Sequence, residues 1–315
     1  MDEQLQLSCM EIWGGNARAH SRVELNGINA WVYCVPFGQA VQGGDIHYMT
    51  SCATGRITRI LVADVSGHGA SVAEHALHLK RLMHRYTNYI NQQKLVADLN
   101  RSFANYTSEG KFATAVAMTY FSPTGVLTYS NAGHPQPFLY KASMGCWQIL
   151  EATSAGEQSA STDIPFGVLD DASYSQNDVQ LEYNDIVLLY TDSLIDARGK
   201  DGKRLGVAGA LSLLQGMLVQ GHLPDADMLI DNINATLAAS AEKSGLDDDM
   251  TLLLFSPSAI GQVKLARKLQ APWLMVKALL LSLQDKNQSL PWPEWSLRNI
   301  GGSLVDGLNK TRKKM

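Results

Sequence analysis

Carboxylates at the mouths of apolar runs are the groups in this chain best placed to do chemistry. Asp45 follows Gly43-Gly44 and opens a strand-like run. Asp64 closes the run Ile60-Leu61-Val62-Ala63 and leads into Val65-Ser66-Gly67-His68-Gly69. Asp192 closes Ile186-Val187-Leu188-Leu189-Tyr190-Thr191, and Asp248-Asp249 precede Met250-Thr251-Leu252-Leu253-Leu254-Phe255. One acid at the end of a strand is ordinarily a turn or helix-cap residue. Four sites built to the same plan argue for more. A carboxylate so close to a core is costly unless it is paired or coordinates a cation, and no Lys or Arg adjoins any of the four in the sequence. Oxygen-only donors favour hard ions, Mg²⁺ or Mn²⁺, over zinc or copper. Two such ions a few ångströms apart lower the pKa of a water and hold a phosphoryl group for in-line attack. No cysteine, serine or histidine nucleophile is then required.

The elements that must position these acids are readable from hydrophobic period. Strand patterns cover Trp31–Val35, Ile46–Met49 and Ile57–Ala63, separated by turn residues at Gly38, Gly43-Gly44 and Thr54-Gly55. Helical patterns follow over Ala70–Tyr89 and Lys94–Ser108; in the first, Val72, Ala76, Leu79 and Met83 recur at helical spacing. Strands resume at Ala113–Phe121, Gly125–Ser130 and Pro137–Tyr140, and the polar stretch Ala152–Thr162 reads as a loop. The continuous apolar runs at Ile186–Tyr190 and Met250–Phe255 suit strands buried on both faces. Between them lie helical patterns at Val207–Leu218 and Ala226–Lys243. Strands, a helix pair, strands, a second helix pair and a closing strand make an α+β order rather than the alternation of a parallel sheet.

Composition narrows the function classes. The 315 residues are 45% hydrophobic and 18% charged, as in an ordinary globular chain. The net charge of −4 is unevenly spread: from Gly261 onward ten Lys and Arg face three acids (+7), which leaves −11 on the first 260 residues. So acidic a body argues against non-specific nucleic-acid binding. Cys9, Cys34, Cys52 and Cys146 have neither zinc-site nor disulfide spacing, and read as small buried hydrophobes. The opening Met-Asp-Glu-Gln-Leu-Gln lacks a basic-then-apolar leader and no run is long enough to span a bilayer, so a cytoplasmic location is expected. Residues 261–284 place Val263, Leu265, Leu269, Trp273, Val276, Leu280 and Leu283 as one amphipathic helix or two, kinked at Pro272. For this basic extension, docking on an activator or pairing as a homodimer is expected ahead of contact with a membrane surface.

Five motifs in order carry a specific resemblance: Gly43-Gly44-Asp45, Asp64-Val65-Ser66-Gly67-His68-Gly69, Asn131-Ala132-Gly133-His134-Pro135, Thr191-Asp192-Ser193 and Asp248-Asp249-Met250-Thr251. Over residues 28–256 the chain resembles the PPM family of metal-dependent serine/threonine phosphatases of type 2C, and most of all the bacterial branch represented by SpoIIE and RsbU. The resemblance implies an αββα sandwich: two antiparallel sheets face to face, with a helix pair on each outer face. It implies two Mn²⁺ or Mg²⁺ ions. Asp64 would bridge both, the backbone carbonyl of Val65 and Asp45 would serve the second, and Asp192 and Asp248 the first, with Asp249 as ligand or support. It also implies a phosphorylated protein substrate, commonly a STAS-type anti-sigma antagonist in partner switching. The expected division is 1–27 as a segment packed on the core, 28–257 as the phosphatase domain and 258–315 as the basic helical extension.

Two departures from eukaryotic relatives bear on mechanism. Those relatives carry a histidine two residues after the bridging aspartate, where this chain has Ser66; they also carry an arginine before the first acid, and none lies between Pro36 and Asp45. Phosphate binding is then expected to rest on the ions or on the substrate. His134 is expected to build a tight connection, His47 to be a partly exposed strand residue, and His75, His78 and His84 to form no metal site. The alternative from another class is a phosphatase-fold module that acts by sequestering a partner, which the complete acid set disfavours. A two-metal phosphodiesterase would need a basic or aromatic nucleotide pocket, and none is legible.

Overall fold

The computed structural model describes residues 12–258, apart from 26, 39, 52–55, 68–69, 88, 90, 108–109, 152–162, 200–201 and 241–247. Cys9, Cys52, His68, the stretch Ala152–Thr162 and the basic extension therefore lie outside the described residues. Two six-stranded antiparallel sheets form the body. The first has the order β1(Ile12–Ala17), β4(Gln42–Ser51), β5(Ile57–Val65), β6(Ala113–Phe121), β7(Val126–Ala132), β10(Asn177–Gln180). The second runs β2(Ala19–Leu25), β3(Ile28–Val35), β12(Met250–Pro257), β11(Ile186–Tyr190), β8(Phe138–Lys141), β9(Cys146–Ile149).

Alternation along β5 sorts the layers. Ile60 and Val62 join Met118, Leu189, Leu253 and Phe255 in the core between the sheets. Leu61, Ala63 and Val65 face the other way, into a core with α1(Ala70–Tyr86) and α2(Gln92–Tyr106). The helical stripe on α1, Val72, Ala76, Leu79 and Met83, supplies that face, and Asn91 caps α2 by accepting the Lys94 N–H at 2.8 Å. Over the outer face of the second sheet lie α4(Gly206–Gly216) and α5(Ala226–Ser240), with Leu214, Leu229, Ile230 and Ile233 against Tyr190 and Leu252. This is the four-layer helix–sheet–sheet–helix sandwich that the resemblance implied. Among the described residues no helix is long and apolar enough to cross a membrane.

Residues 12–25 supply two strands the hydrophobic pattern did not show. β1 pairs with β4 at one edge of the first sheet, and β2 pairs with β3 at one edge of the second. Edge strands carry polar and small residues, Gly14, Gly15 and Asn16 here, which hide the period-2 signal. Asn16 is buried and its amide donates to the carbonyls of Gly43 (2.9 Å) and Ala73 (3.1 Å), tying this edge to the loop before Asp45 and to α1.

Candidate functional site

All the predicted acids collect at one end of the two sheets. Asp45 at the start of β4 stands directly across the ladder from Asp64 at the end of β5. From the facing sheet come Asp192, just past β11 and opening the short helix α3(Ser193–Asp196), and Asp248-Asp249, just before β12. Strand ends are where this architecture brings distant segments together without filling the space between them. Asp45 is buried at 1% exposure, Asp64, Asp192 and Asp249 are half-buried, and Asp248 is exposed.

The cluster is electrostatically strained. Burial, then the Asp64 charge, pushes the Asp45 carboxyl well above the usual carboxylate range. Asp64 rises to about 7 through burial and the charges of Asp192, Asp248 and Asp249. Asp192 is raised by burial and by Asp248. An all-oxygen donor set, desolvated and self-repelling, has the chemistry of a hard-cation site. The acids therefore fit the divalent ions that the resemblance implied. Among the described residues no three of them stand close enough together to hold an ion as they are placed.

Two contacts explain why β4 carries glycines just ahead of Asp45. A Cβ on Gly43 would land on the Asp249 carboxylate, and one on Gly44 would lie 2.7 Å from Val72 Cγ1 and 3.0 Å from the Val65 carbonyl oxygen. The bare backbone lets Asp249 accept N–H groups from Gly44 (2.5 Å) and Phe37 (2.6 Å), with Asp45 N–H further off at 3.4 Å. Ser193 donates its hydroxyl to the Asp249 carbonyl. Asp249 thus ties Phe37 of the β3–β4 loop and Gly44 of β4 to the start of β12 through both carboxylate oxygens. The Val65 carbonyl faces Gly44, next to Asp45 on β4.

The family model for stage II sporulation protein E (SpoIIE) matches residues 54–257. The chain belongs to the SpoIIE family. It is 25% identical over 198 residues to the phosphoserine phosphatase RsbU of Bacillus subtilis (strain 168), covering 62% of this chain and 54% of RsbU. The chain thus spans about half the length of that relative. The fold is shared with the RsbU and RsbW domains of Rv1364c from Mycobacterium tuberculosis, at 21% identity and TM-score 0.57 over 87% of this chain and 72% of that one. It is shared also with RsbX, solved in complex with magnesium, at 18% identity and TM-score 0.54 over 76% of this chain and all of that one.

In this SpoIIE-family chain two threonines join the acids and the Val65 carbonyl at the site. Thr191 donates its hydroxyl to Asp45 Oδ2 at 2.7 Å and accepts the Thr251 N–H at 2.9 Å, while the Thr251 hydroxyl donates to Cys34 Sγ at 3.4 Å. Both threonines sit inside the motifs that carried the resemblance, but nothing in their local sequence tells what they face. Burial, more than any other influence, pushes the Cys34 thiol up to about 12, the mark of an inert core sulfur.

The histidines resolve individually. Asn131 accepts the His134 N–H (2.7 Å) and donates to its carbonyl (2.9 Å), closing the turn at Gly133, whose φ of 65° no side chain adopts readily. The His134 ring joins the two sheets: Nε2 lies 3.0 Å from the Tyr190 carbonyl and Nδ1 2.9 Å from the Thr114 hydroxyl. Because a carbonyl only accepts, Nε2 carries the proton and Nδ1 takes the Thr114 hydrogen bond. His47, expected to be partly exposed, is buried at 2% exposure because its register with Val62, two residues from Met49, puts it on the face of β4 that meets the core between the sheets. His78 stacks on Tyr106 at 3.6 Å, with His75 edge-on at 5.4 Å, in an aromatic pairing of α1 with α2.

Proposed function

We propose that this chain is a divalent-metal-dependent phosphatase that removes phosphate from serine or threonine on a regulatory protein. The observation that carries it is the convergence, from both sheets, of Asp45, Asp64, Asp192 and Asp248 into one self-repelling carboxylate cluster. Family membership and the likeness to RsbU support the reaction class, and the magnesium in RsbX supports a hard cation. A STAS-type antagonist is the substrate that partner switching in this branch favours.

Two Mn²⁺ or Mg²⁺ ions held there would supply Lewis-acid stabilisation of phosphoryl charge and acidify water at neutral pH. Asp64, opposite Asp45 and charge-coupled to Asp192 and Asp248, is the residue suited to span both positions. Asp45 and the Val65 carbonyl would serve one ion, Asp192 and Asp248 the other. Thr191 fixes the Asp45 carboxylate, and Asp249 holds the loop that delivers it. His134 is committed to joining the sheets, so it does not serve as the general acid. Ser66 is likewise engaged: its hydroxyl accepts the Phe112 N–H at 3.1 Å.

The test is phosphate release from p-nitrophenyl phosphate and from phosphoserine and phosphothreonine peptides, with Mn²⁺, Mg²⁺ or EDTA. Metal-dependent release that drops at least 100-fold in Asp192→Asn is expected. Equal release in EDTA would overturn the mechanism, and binding of a phosphopeptide without release under any metal would favour a sequestering module.

A further inference from the structure

Five exposed large hydrophobics surround the carboxylate cluster. In the β3–β4 loop, Phe37 is 47% and Val41 82% exposed, and the Phe37 backbone itself holds Asp249. Opposite them Phe112 is 39% exposed; its carbonyl accepts the Ser66 N–H and its N–H donates to the Ser66 hydroxyl, two residues beyond Asp64. Beside it stand Val168 and Leu169, about 50% exposed. Their loop is fixed by the paired bonds of Phe166 with Ala113 and by Asn100, which donates to the Leu169 carbonyl at 2.7 Å. Lys111 adds one cation, its ammonium 3.4 Å from the Ser66 carbonyl. Met144 in the β8–β9 turn and Tyr183 ahead of β11 lie at the opposite ends of the strands, while Tyr106, Val219 and Met228 are exposed on or beside helices.

Apolar side chains held out in water on three separately anchored loops around one cleft mark an interaction surface. Their position around the cluster identifies the occupant: whatever carries the reacting group into the cleft must lie across them. We propose that this rim docks the segment flanking the phosphorylated residue, and that the segment is apolar on both sides of it. The inference rests on the phosphatase reading and names the class of substrate. Acidic flanks meet the carboxylate floor and the −11 body. Basic flanks would be drawn by that same acidic field, but at the rim their charge would be stripped of water against phenylalanine, valine and leucine. The dianionic phosphate alone finds a protein cation at the mouth, on Lys111.

The experiment uses the full chain and three fluorescein-labelled phosphoserine peptides, identical except for leucine and valine, glutamate, or lysine flanks. Binding is read by anisotropy in EDTA, and phosphate release separately with Mn²⁺. The apolar peptide is expected to bind at least 10-fold tighter than either charged one, and Phe112→Ser with Leu169→Ser to bring the three within 3-fold. Val168→Ser, on the second loop alone, reports the same loss if the double variant does not fold by circular dichroism. Equal binding of the three peptides, or a preference unchanged in the variants, overturns the rim. So does a concentration-dependent dimer that shields a cysteine placed at Val168, since a second copy would then be the occupant. Preference in EDTA without phosphate release under any metal would leave the rim standing and the activity refuted; equal release from all three peptides would do the reverse.

Discussion

The hydroxyl of Thr191, at the end of one sheet, is hydrogen-bonded at 2.7 Å to the buried carboxylate of Asp45, at the start of a strand in the other. Thr191 therefore sets the orientation of a carboxylate whose own sheet offers it chiefly repulsion from Asp64. Thr191→Val keeps the shape and removes the donor. The expected result is ~10-fold to 100-fold weaker Mn²⁺ binding by calorimetry, as for other residues that orient a ligand. A stability loss of about 1–2 kcal/mol accompanies it, because the Thr251 N–H loses its acceptor. Unchanged metal affinity would show that Asp45 does not need this bond.

Asp64 is the most heavily repelled of the half-buried acids, so neutralising it relieves the cluster when no metal is bound. Asp64→Asn is expected to raise the melting temperature in EDTA by ~2–4 °C. The same variant should lose the rise that Mn²⁺ gives the wild type. A variant that melts lower in EDTA and still responds fully to Mn²⁺ would remove Asp64 from the ligand set.

Gly43 is there because Asp249 occupies the space a side chain would need. Gly43→Ala should cost about 2–3 kcal/mol in urea denaturation, by driving Asp249 off the N–H groups of Gly44 and Phe37. In a Gly43→Ala, Asp249→Ala double variant the two losses should fall well short of additive, since the clash disappears with the carboxylate. Full additivity would place the cost of the alanine elsewhere.

Burial keeps His134 neutral, with its pKa lowered from 6.5 to about 4. The unfolded chain takes up this proton first as pH falls. The contribution is therefore whole above pH 6.5 and is lost between 6.5 and 4, at most roughly 3 kcal/mol. Against wild type, His134→Gln should be less stable at pH 7.5, and the gap should narrow steadily down to pH 4.5. A gap that stays constant over this range would mean that the ring is free to protonate in place.

The buried runs were plain in the sequence because strands covered on both faces must be continuously apolar: β5, β11 and β12 were placed to within a residue or two. The acids at their ends followed, since carboxylates abutting such runs contradict the surrounding pattern. β1, β2, β9 and β10 were missed for the opposite reason. They are edge or next-to-edge strands, short or rich in glycine and polar residues, and their order comes from partners far along the chain. Thr191 and Lys111 were illegible as site residues for a related reason. A hydroxyl or an amine means nothing locally until a distant strand shows what it faces.

β12 lies in the interior of its sheet, between β3 and β11, and pairs Pro257 with Ile28 and Met250 with Val35. On the ribosome, β3 must therefore wait more than 200 residues for its neighbour, with a hydrogen-bonding edge open meanwhile. Asp248 and Asp249 emerge with that same strand, so the final closure of the sheet and the completion of the acid cluster are one event. A nascent or prematurely terminated chain that stops short of residue 248 holds Asp45, Asp64 and Asp192 without Asp248 and without the strand that closes the second sheet, so its acid cluster is incomplete.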